Sequence, residues 1–439
     1  MQKRNLLIII LFLFTGTIGW SAERIRQNFD FDWQFRLGEQ GIYKPVQLPH
    51  DWSIELDFNE EVGPESGYLP GGIGYYKKDF NVPASYKGKR VSIVFDGIYH
   101  KATIYLYGQE VDYHRYGYTS FETDLTPYLK YGGKNTLSVK VDHSEKSRWY
   151  TGSGIYRHVW MQVTNPIHVK MWGTYITTPR VSAESAIVSC VTTVANTSAL
   201  TGEIEIMQRI VDAQGNLLKI NGKQYAARTE VVMPENGTKD IAQSFTLSNP
   251  QLWNLEKPYL YRLETILKQK GKVIDRYTTR FGVRTIGFDK DKGFFLNGKN
   301  IKMKGACLHQ DAGCLGVAVP NRSYERRLTI LKEFGANAIR CSHNPPSPEF
   351  LNYCDSIGFL VVDEAFDKWK SGYYEQFFDE CWQQDIRDMI VRDRNHPSIV
   401  LWSIGNELAE ATRKDNVGVE RATLLRDFVH KLEPTRPTM

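Results

Sequence analysis

From Gly293 onward the chain alternates strand-like and helix-like segments without interruption, and this pattern constrains the fold more than any other feature. Strand-like IKMKGACLH (301–309), NAIRCS (337–342), FLVVDE (359–364) and IVLWSIGNE (399–407) are separated by helical YERRLTILKEFG (324–335), SPEFLNYCDSIG (347–358) and YEQFFDECWQQDIRDMIVRD (374–393). A fourth helical segment, GVERATLLRDFVHKL (418–432), follows. Consecutive strands joined by helices run parallel, so the segment predicts either an open doubly wound sheet or part of a (β/α)8 barrel. His309, His343, Glu364, Asn406 and Glu407 fall at or just past the C-terminal ends of the four strands, where a barrel carries its chemistry. Open sheets also bind ligands at their carboxyl ends. No Gly-rich phosphate loop follows the strand ending near His309, which weighs against a nucleotide-binding sheet.

The preceding sequence has a different period. Residues 23–166 are short β-like runs broken by Gly, Pro, Asn and Asp, with VSIVFDGIYHKATIYLYGQEV alternating as a half-buried strand pair does. Residues 167–285 hold further alternating runs at the turn spacing of an immunoglobulin-like β-sandwich. At the N-terminus, Lys3 and Arg4 precede an apolar run from Leu6 to Ile18 and the small residues Ser21 and Ala22. Residues 1–22 are therefore expected to be a secretory signal, since the run is shorter than the ~20 residues that span a bilayer. The expected organisation is signal 1–22, β-sandwich 23–166, immunoglobulin-like sandwich 167–285 and half a TIM barrel 286–439, in a protein exported to the periplasm or medium.

A net charge of +5 over 439 residues, without a basic run, gives no footprint for nucleic acid or a membrane surface. The six cysteines show no CxxC or metal spacing, and buried free thiols are expected. Aromatic residues make up 13% of the chain, enough to supply both sandwich cores and faces on which sugar rings stack.

NHPSIVLWSIGNE sets Asn406 and Glu407 at the mouth of the sheet. A Glu that protonates a leaving oxygen needs its pKa raised by partial burial and a neighbouring negative charge. The other reading of such a strand-end Glu is a cap on the next helix or an ion pair with Arg340. Arg340 can orient a carboxylate through two parallel hydrogen bonds. His343 can donate to a ligand hydroxyl or bond the Asn344-Pro345-Pro346 turn, and a strand-end His309 is open to a structural role in the same way. Glu364 faces inward, where a buried carboxylate requires a partner such as Arg340.

NAIRCSHNPP, GFLVVDE and DRNHPSIVLWSIGNE resemble the signature stretches of glycoside hydrolase family 2. FDGIYHKATIYLYGQ, GYTSFETDLTPYL and WYTGSGIYRHVW look like that family's N-terminal sugar-binding jelly roll. FGVRTIGF and FFLNGKNIKMKGACLHQD look like its sandwich-to-barrel junction, so the resemblance runs from about Arg24 to Met439. It implies a retaining glycosidase with Glu407 as acid/base, Asn406 bonding the sugar 2-hydroxyl, Arg340 and His343 supporting the site, and His309 touching the sugar; Glu364 is counted with these as a substrate-binding residue. GACLHQDAG, HNPPSPEFL and DEAFDKW are most like the β-galactosidases of the family, less like its β-glucuronidases or β-mannosidases. By the same resemblance the loops holding His50, Asp51 and Trp52, and Arg148, Trp149 and Tyr150, reach toward the site; an aromatic cluster under the sandwich is the other reading.

Retaining hydrolysis needs two carboxyl groups about 5–5.5 Å apart, and the family places the nucleophile on the seventh barrel strand. Four strands are readable here, so the 439-residue chain is expected to lack the nucleophile and to be inactive by itself. Glu364 is a poor substitute. A non-catalytic carbohydrate-binding protein is the alternative class. No cofactor is expected; Mg²⁺ or Na⁺ near Glu364 follows from family analogy alone. The partner expected is a β-galactoside or glycan chain end.

Overall fold

The computed structural model describes residues 23–439 apart from 146, 221 and 222, and the side chains of 220, 223, 224 and 373 are also left undescribed. The expected secretory signal lies outside the described residues. Among those described, no helix is long and apolar enough to cross a membrane.

The first unit is a sandwich of two antiparallel sheets. Four strands form one layer in the spatial order Ile25–Asn28, Val159–Thr164, Arg90–Phe95, Phe121–Asp124. Six form the other: Lys44–Val46, Trp33–Leu37, Gly72–Val82, Gly133–His143, Ala102–Leu106, Gln109–His114. Gly133–His143 alternates as its sequence does, with Leu137, Val139 and Val141 turned into the core and Ser138, Lys140 and Asp142 turned away. Trp33, Tyr76, Ile93, Phe95 and Ile104 fill the space between the layers, each large apolar side chain contributing about 1.5–3 kcal/mol on burial.

The second unit packs a three-stranded sheet (Ile167–Val181, Ser185–Asn196, Gly237–Ser248) on a four-stranded one (Ala227–Met233, Gly202–Val211, Tyr261–Gln269, Lys272–Phe281). This is the seven-strand immunoglobulin-like arrangement expected.

In the third unit the four strands Gly305–Leu308, Ala338–Cys341, Leu360–Glu364 and Ile399–Ser403 pair in sequence order and in parallel. Helices α1 (Asn321–Glu333), α2 (Pro348–Ile357), α3 (Phe378–Asp393) and α4 (Val417–Leu432) alternate with them. Ser347 caps α2 by accepting the Phe350 N–H, Pro348 opens it and Gly358 ends it in the left-handed region. Thr438 extends the pairing by a parallel bridge to Trp402.

Three local expectations change. Helix α3 starts at Phe378, because Gly372–Gln376 forms a tighter 3₁₀ turn. The fourth strand ends at Ser403, so Asn406 and Glu407 sit in the loop beyond it, with Glu407 at φ +45°. The cysteines are all free thiols, yet only Cys190, Cys341 and Cys354 are buried; Cys307 and Cys314 are exposed. Cys307 belongs to the edge strand of the parallel sheet, and Cys314 lies on a surface turn.

The first sandwich and the parallel sheet share one core, in which Tyr99, Tyr116, Tyr118 and Tyr156 pack with Tyr324, Phe350, Phe366 and Trp369. Two buried arginines fasten this seam to the Pro345-Pro346 turn. Arg157 donates to the Pro345 carbonyl at 2.9 Å, and Arg392 donates to Pro346 at 2.7 Å and to the Ser120 hydroxyl at 3.1 Å. The seam aims first-domain loops at the strand ends.

Candidate functional site

The innermost group is Glu364, whose side chain is fully buried at the end of the third strand. Its Oε2 accepts from Arg340 Nε at 2.8 Å, Arg340 Nη2 at 2.5 Å and Ser403 Oγ at 2.6 Å, and its Oε1 lies 2.6 Å from His343 Nδ1. The expected partnership with Arg340 is therefore present. Four donors stabilise the charge that burial would otherwise penalise.

Arg340 Nη2 also donates to Asn406 Oδ1 at 3.0 Å, and Asn406 Nδ2 donates to Asp367 Oδ1 at 2.9 Å. The amide is thereby held in one orientation. The backbone is zipped in register with it: the Ala365 N–H donates to the Ser403 carbonyl, the Asn406 N–H to the Asp367 carbonyl at 2.7 Å, and Trp369 Nε1 to the Ile404 carbonyl at 2.6 Å.

Glu407 lies on the outer side of this array. Arg340 does not pair with it, and Leu408 rather than Glu407 occupies the cap position of the following turn. Its carboxylate instead meets Arg148 Nη2 at 2.9 Å and Lys368 Nζ at 3.1 Å, with its side chain 67% exposed. These two cations, through hydrogen bonds first and charge second, hold the carboxyl down at about 2. The sequence-based expectation of a raised pKa is overturned in this geometry. Its cause is tertiary, because Arg148 arrives from the first sandwich.

Arg148 also reaches Asp367, Nε to Oδ2 at 3.2 Å. Next to it Trp149 packs edge-on against His309 and His343, ring centroids 5.1 and 5.7 Å apart, and the two histidines lie 5.3 Å from each other. His309 is half-buried; burial, and then the neighbouring His343, lower its pKa, and its Nδ1 has no hydrogen-bond partner among the described residues. The other first-domain loop behaves differently. Trp52 stacks on Phe35 inside the sandwich, while Asp51 accepts the backbone N–H of Val317 and the hydroxyl of Tyr150. Thus 148–149 reach the site, and 50–52 brace the loop beside it.

A cleft opens between the first sandwich and the strand ends, lined among others by Tyr116, Arg148, Trp149, His343, Asp367 and Lys368. Its aromatic walls and few converging polar groups suit a small organic ligand. Asp367, Lys368 and Ser403 were not singled out in the sequence. A charged pair just after the strand-end Glu364 was the available signal for the first two.

Arg340, Ser403 and His343 already engage both oxygens of Glu364, and the Arg340 guanidinium beside it repels a second cation. Among the described residues no group of three or more His, Cys, Asp or Glu is arranged to hold a metal. The residues present do not fit a cation at Glu364.

Two β-sandwiches leading into four parallel β/α units, with a buried Glu–Arg–Asn network and an outer glutamate at the rim, define a modular β and β/α protein with its candidate site at the strand ends. Three family models match consecutive stretches: the sugar binding domain of glycosyl hydrolases family 2 over residues 30–166, glycosyl hydrolases family 2 over 167–284, and its TIM barrel domain over 289–439. The chain belongs to glycosyl hydrolase family 2. It is 43% identical to a beta-galactosidase of Bacteroides ovatus over 94% of this chain and 50% of that protein. It is also 30% identical to a beta-glucuronidase of Bacteroides fragilis, over 98% of this chain and 62% of the relative. A solved glycosyl hydrolase family 2 member from Bacteroides cellulosilyticus superposes with a TM-score of 0.88 at 39% identity, covering 94% of this chain and 55% of that one. The chain thus spans about half the length of relatives it matches.

Proposed function

We propose that this chain supplies the acid/base half of a retaining β-glycosidase site, acting on terminal non-reducing β-D-galactosyl residues. The observation that supports this most is the continuous network from Glu364 through Arg340 to Asn406, which fixes a strand-end amide beside the exposed carboxylate of Glu407. Such an amide is suited to bond a ring hydroxyl while the carboxyl group handles the proton.

In the first step Glu407, protonated, gives its proton to the glycosidic oxygen as the bond to the anomeric carbon breaks and a second carboxylate bonds to that carbon. In the second step the Glu407 carboxylate takes a proton from water, which attacks the anomeric carbon and releases the second carboxylate. That second carboxylate is assigned to a later strand of a complete barrel. Glu364 is unsuited to it, since its two oxygens already accept four hydrogen bonds. Asn406 bonds the 2-hydroxyl, while His309, His343 and Trp149 border the sugar. Release from the cell through a signal at residues 1–22 belongs to the same proposal.

The test uses a protein containing this chain together with the remainder of the barrel. Glu407→Gln is expected to slow hydrolysis of an alkyl β-galactoside by about 10²–10⁴-fold, the usual scale of positioned proton transfer. An aryl galactoside with an acidic phenol should suffer far less in the first step. Equal rates for variant and wild type on the alkyl substrate would remove Glu407 from the role, and exclusive turnover of β-glucuronides would reassign the sugar.

A further inference from the structure

Lys368 has an unusual set of partners. Its ammonium, nearly buried, donates to the carbonyl of Asn406 at 3.1 Å, the carbonyl of Glu407 at 2.7 Å and Glu407 Oε2 at 3.1 Å. All three donor positions of the ammonium are therefore directed at two consecutive residues of a neighbouring loop. Glu407 sits there with φ +45°, a left-handed conformation uncommon for a residue with a side chain. The surrounding contacts must hold that conformation in place.

We propose that Lys368 is a positioning residue for Glu407: it clamps the loop in the left-handed turn and points the carboxylate at Arg148, closing an ion pair between the first sandwich and the sheet. This rests on the assignment of Glu407 as acid/base. The charged groups that face the carboxylate are Arg148 from the sandwich and Lys368 from the loop after the third strand, with Asp367 behind both. Arg340, Glu364 and His343 stand one layer deeper, reached through Asn406. Two cations at about 3 Å keep the free site in its carboxylate form, the form that activates water. The acid form requires the more exposed cation, Arg148, to be drawn away. A sugar entering the cleft that Arg148 lines does this by taking over its donors or its space, whereas Lys368 stays anchored on the two carbonyls. The ion pair therefore links occupancy of the cleft to the protonation of Glu407.

Carboxyl ¹³C NMR of the chain labelled at glutamate Cδ reads this directly, with Glu407→Gln identifying the resonance. The wild-type chain should show Glu407 titrating near 2. Lys368→Met and Arg148→Gln should each move it up by at least about one unit toward the ordinary 4.3 of a glutamate. Lys368→Arg, which keeps the charge, should leave it within about half a unit. Unaltered resonances for the other glutamates show that the variants remain folded. A wild-type midpoint above 4, or no shift in either neutralising variant, overturns the proposal. Because the titration requires no turnover, it fails or succeeds independently of the hydrolase assignment.

Discussion

The carboxylate of Asp51 accepts the backbone N–H of Val317 at 3.0 Å, joining the first sandwich to the parallel-sheet unit across 266 residues of sequence. Its other oxygen accepts the Ser53 and Ser153 N–H groups at 3.1 and 2.9 Å. One buried side chain thus satisfies three backbone donors on three loops.

Replacing Asp51 with Ala should therefore leave buried N–H groups unsatisfied, each costing about 1–3 kcal/mol, so the loss of stability is expected to exceed about 2 kcal/mol. Urea denaturation followed by tryptophan fluorescence checks this. An unchanged midpoint would show that water replaces the carboxylate without penalty.

The Arg340–Glu364 pair gives a second prediction. Arg340→Met strips a fully buried carboxylate of its charge partner, at a cost of about 3 kcal/mol, near the lower end for buried pairs because the Arg340 side chain is 26% exposed. Arg340→Lys should recover less than half, since an ammonium cannot span Glu364 and Asn406 in the fork geometry of a guanidinium. Equal stability of the Lys variant and wild type would contradict the role of the guanidinium in spanning Glu364 and Asn406.

His158 should make the first sandwich sensitive to alkaline pH. Burial alone would lower its pKa, but the hydrogen bond to Asp30 at 2.7 Å, with the charges of Glu349 and Asp96, raises it to about 9. A raised pKa stabilises the fold fully below the unfolded value near 6.5, and the contribution fades as pH climbs through about 9. About 1–2 kcal/mol should be lost over that window after allowing for partial solvent screening. His158→Gln should flatten this part of the stability–pH profile, and a profile identical to wild type would refute it.

Trp149 is expected to matter for ligand affinity more than for stability, because it borders the cleft and packs edge-on against His309 and His343. On the proposed sugar assignment, Trp149→Ala should weaken galactose binding by roughly 2–13-fold, the scale of one aromatic contact of about 0.5–1.5 kcal/mol. Calorimetry on the chain measures it; unchanged affinity would remove Trp149 from the binding surface.

Periodicity alone determined much of this protein. The alternation after Gly293 gave four parallel strands and four helices within a few residues of their observed ends, because apolar spacing is a local property that each element must satisfy to bury its face. The inward placement of Glu364 and its partnership with Arg340 were legible for the same reason: strand ends point their last residues at the sheet's mouth. The electrostatic state of Glu407 was not legible. It depends on Arg148, 259 residues away, and on a left-handed turn clamped by Lys368, neither of which a local pattern encodes. The roles of the two first-domain loops were likewise settled by tertiary packing, which sent Trp149 to the histidines and Trp52 into the sandwich core. Sequence determined which elements form because their hydrogen bonds and apolar faces are local. Tertiary structure decided the charge at the site, because electrostatic partners are set by distance in space rather than along the chain.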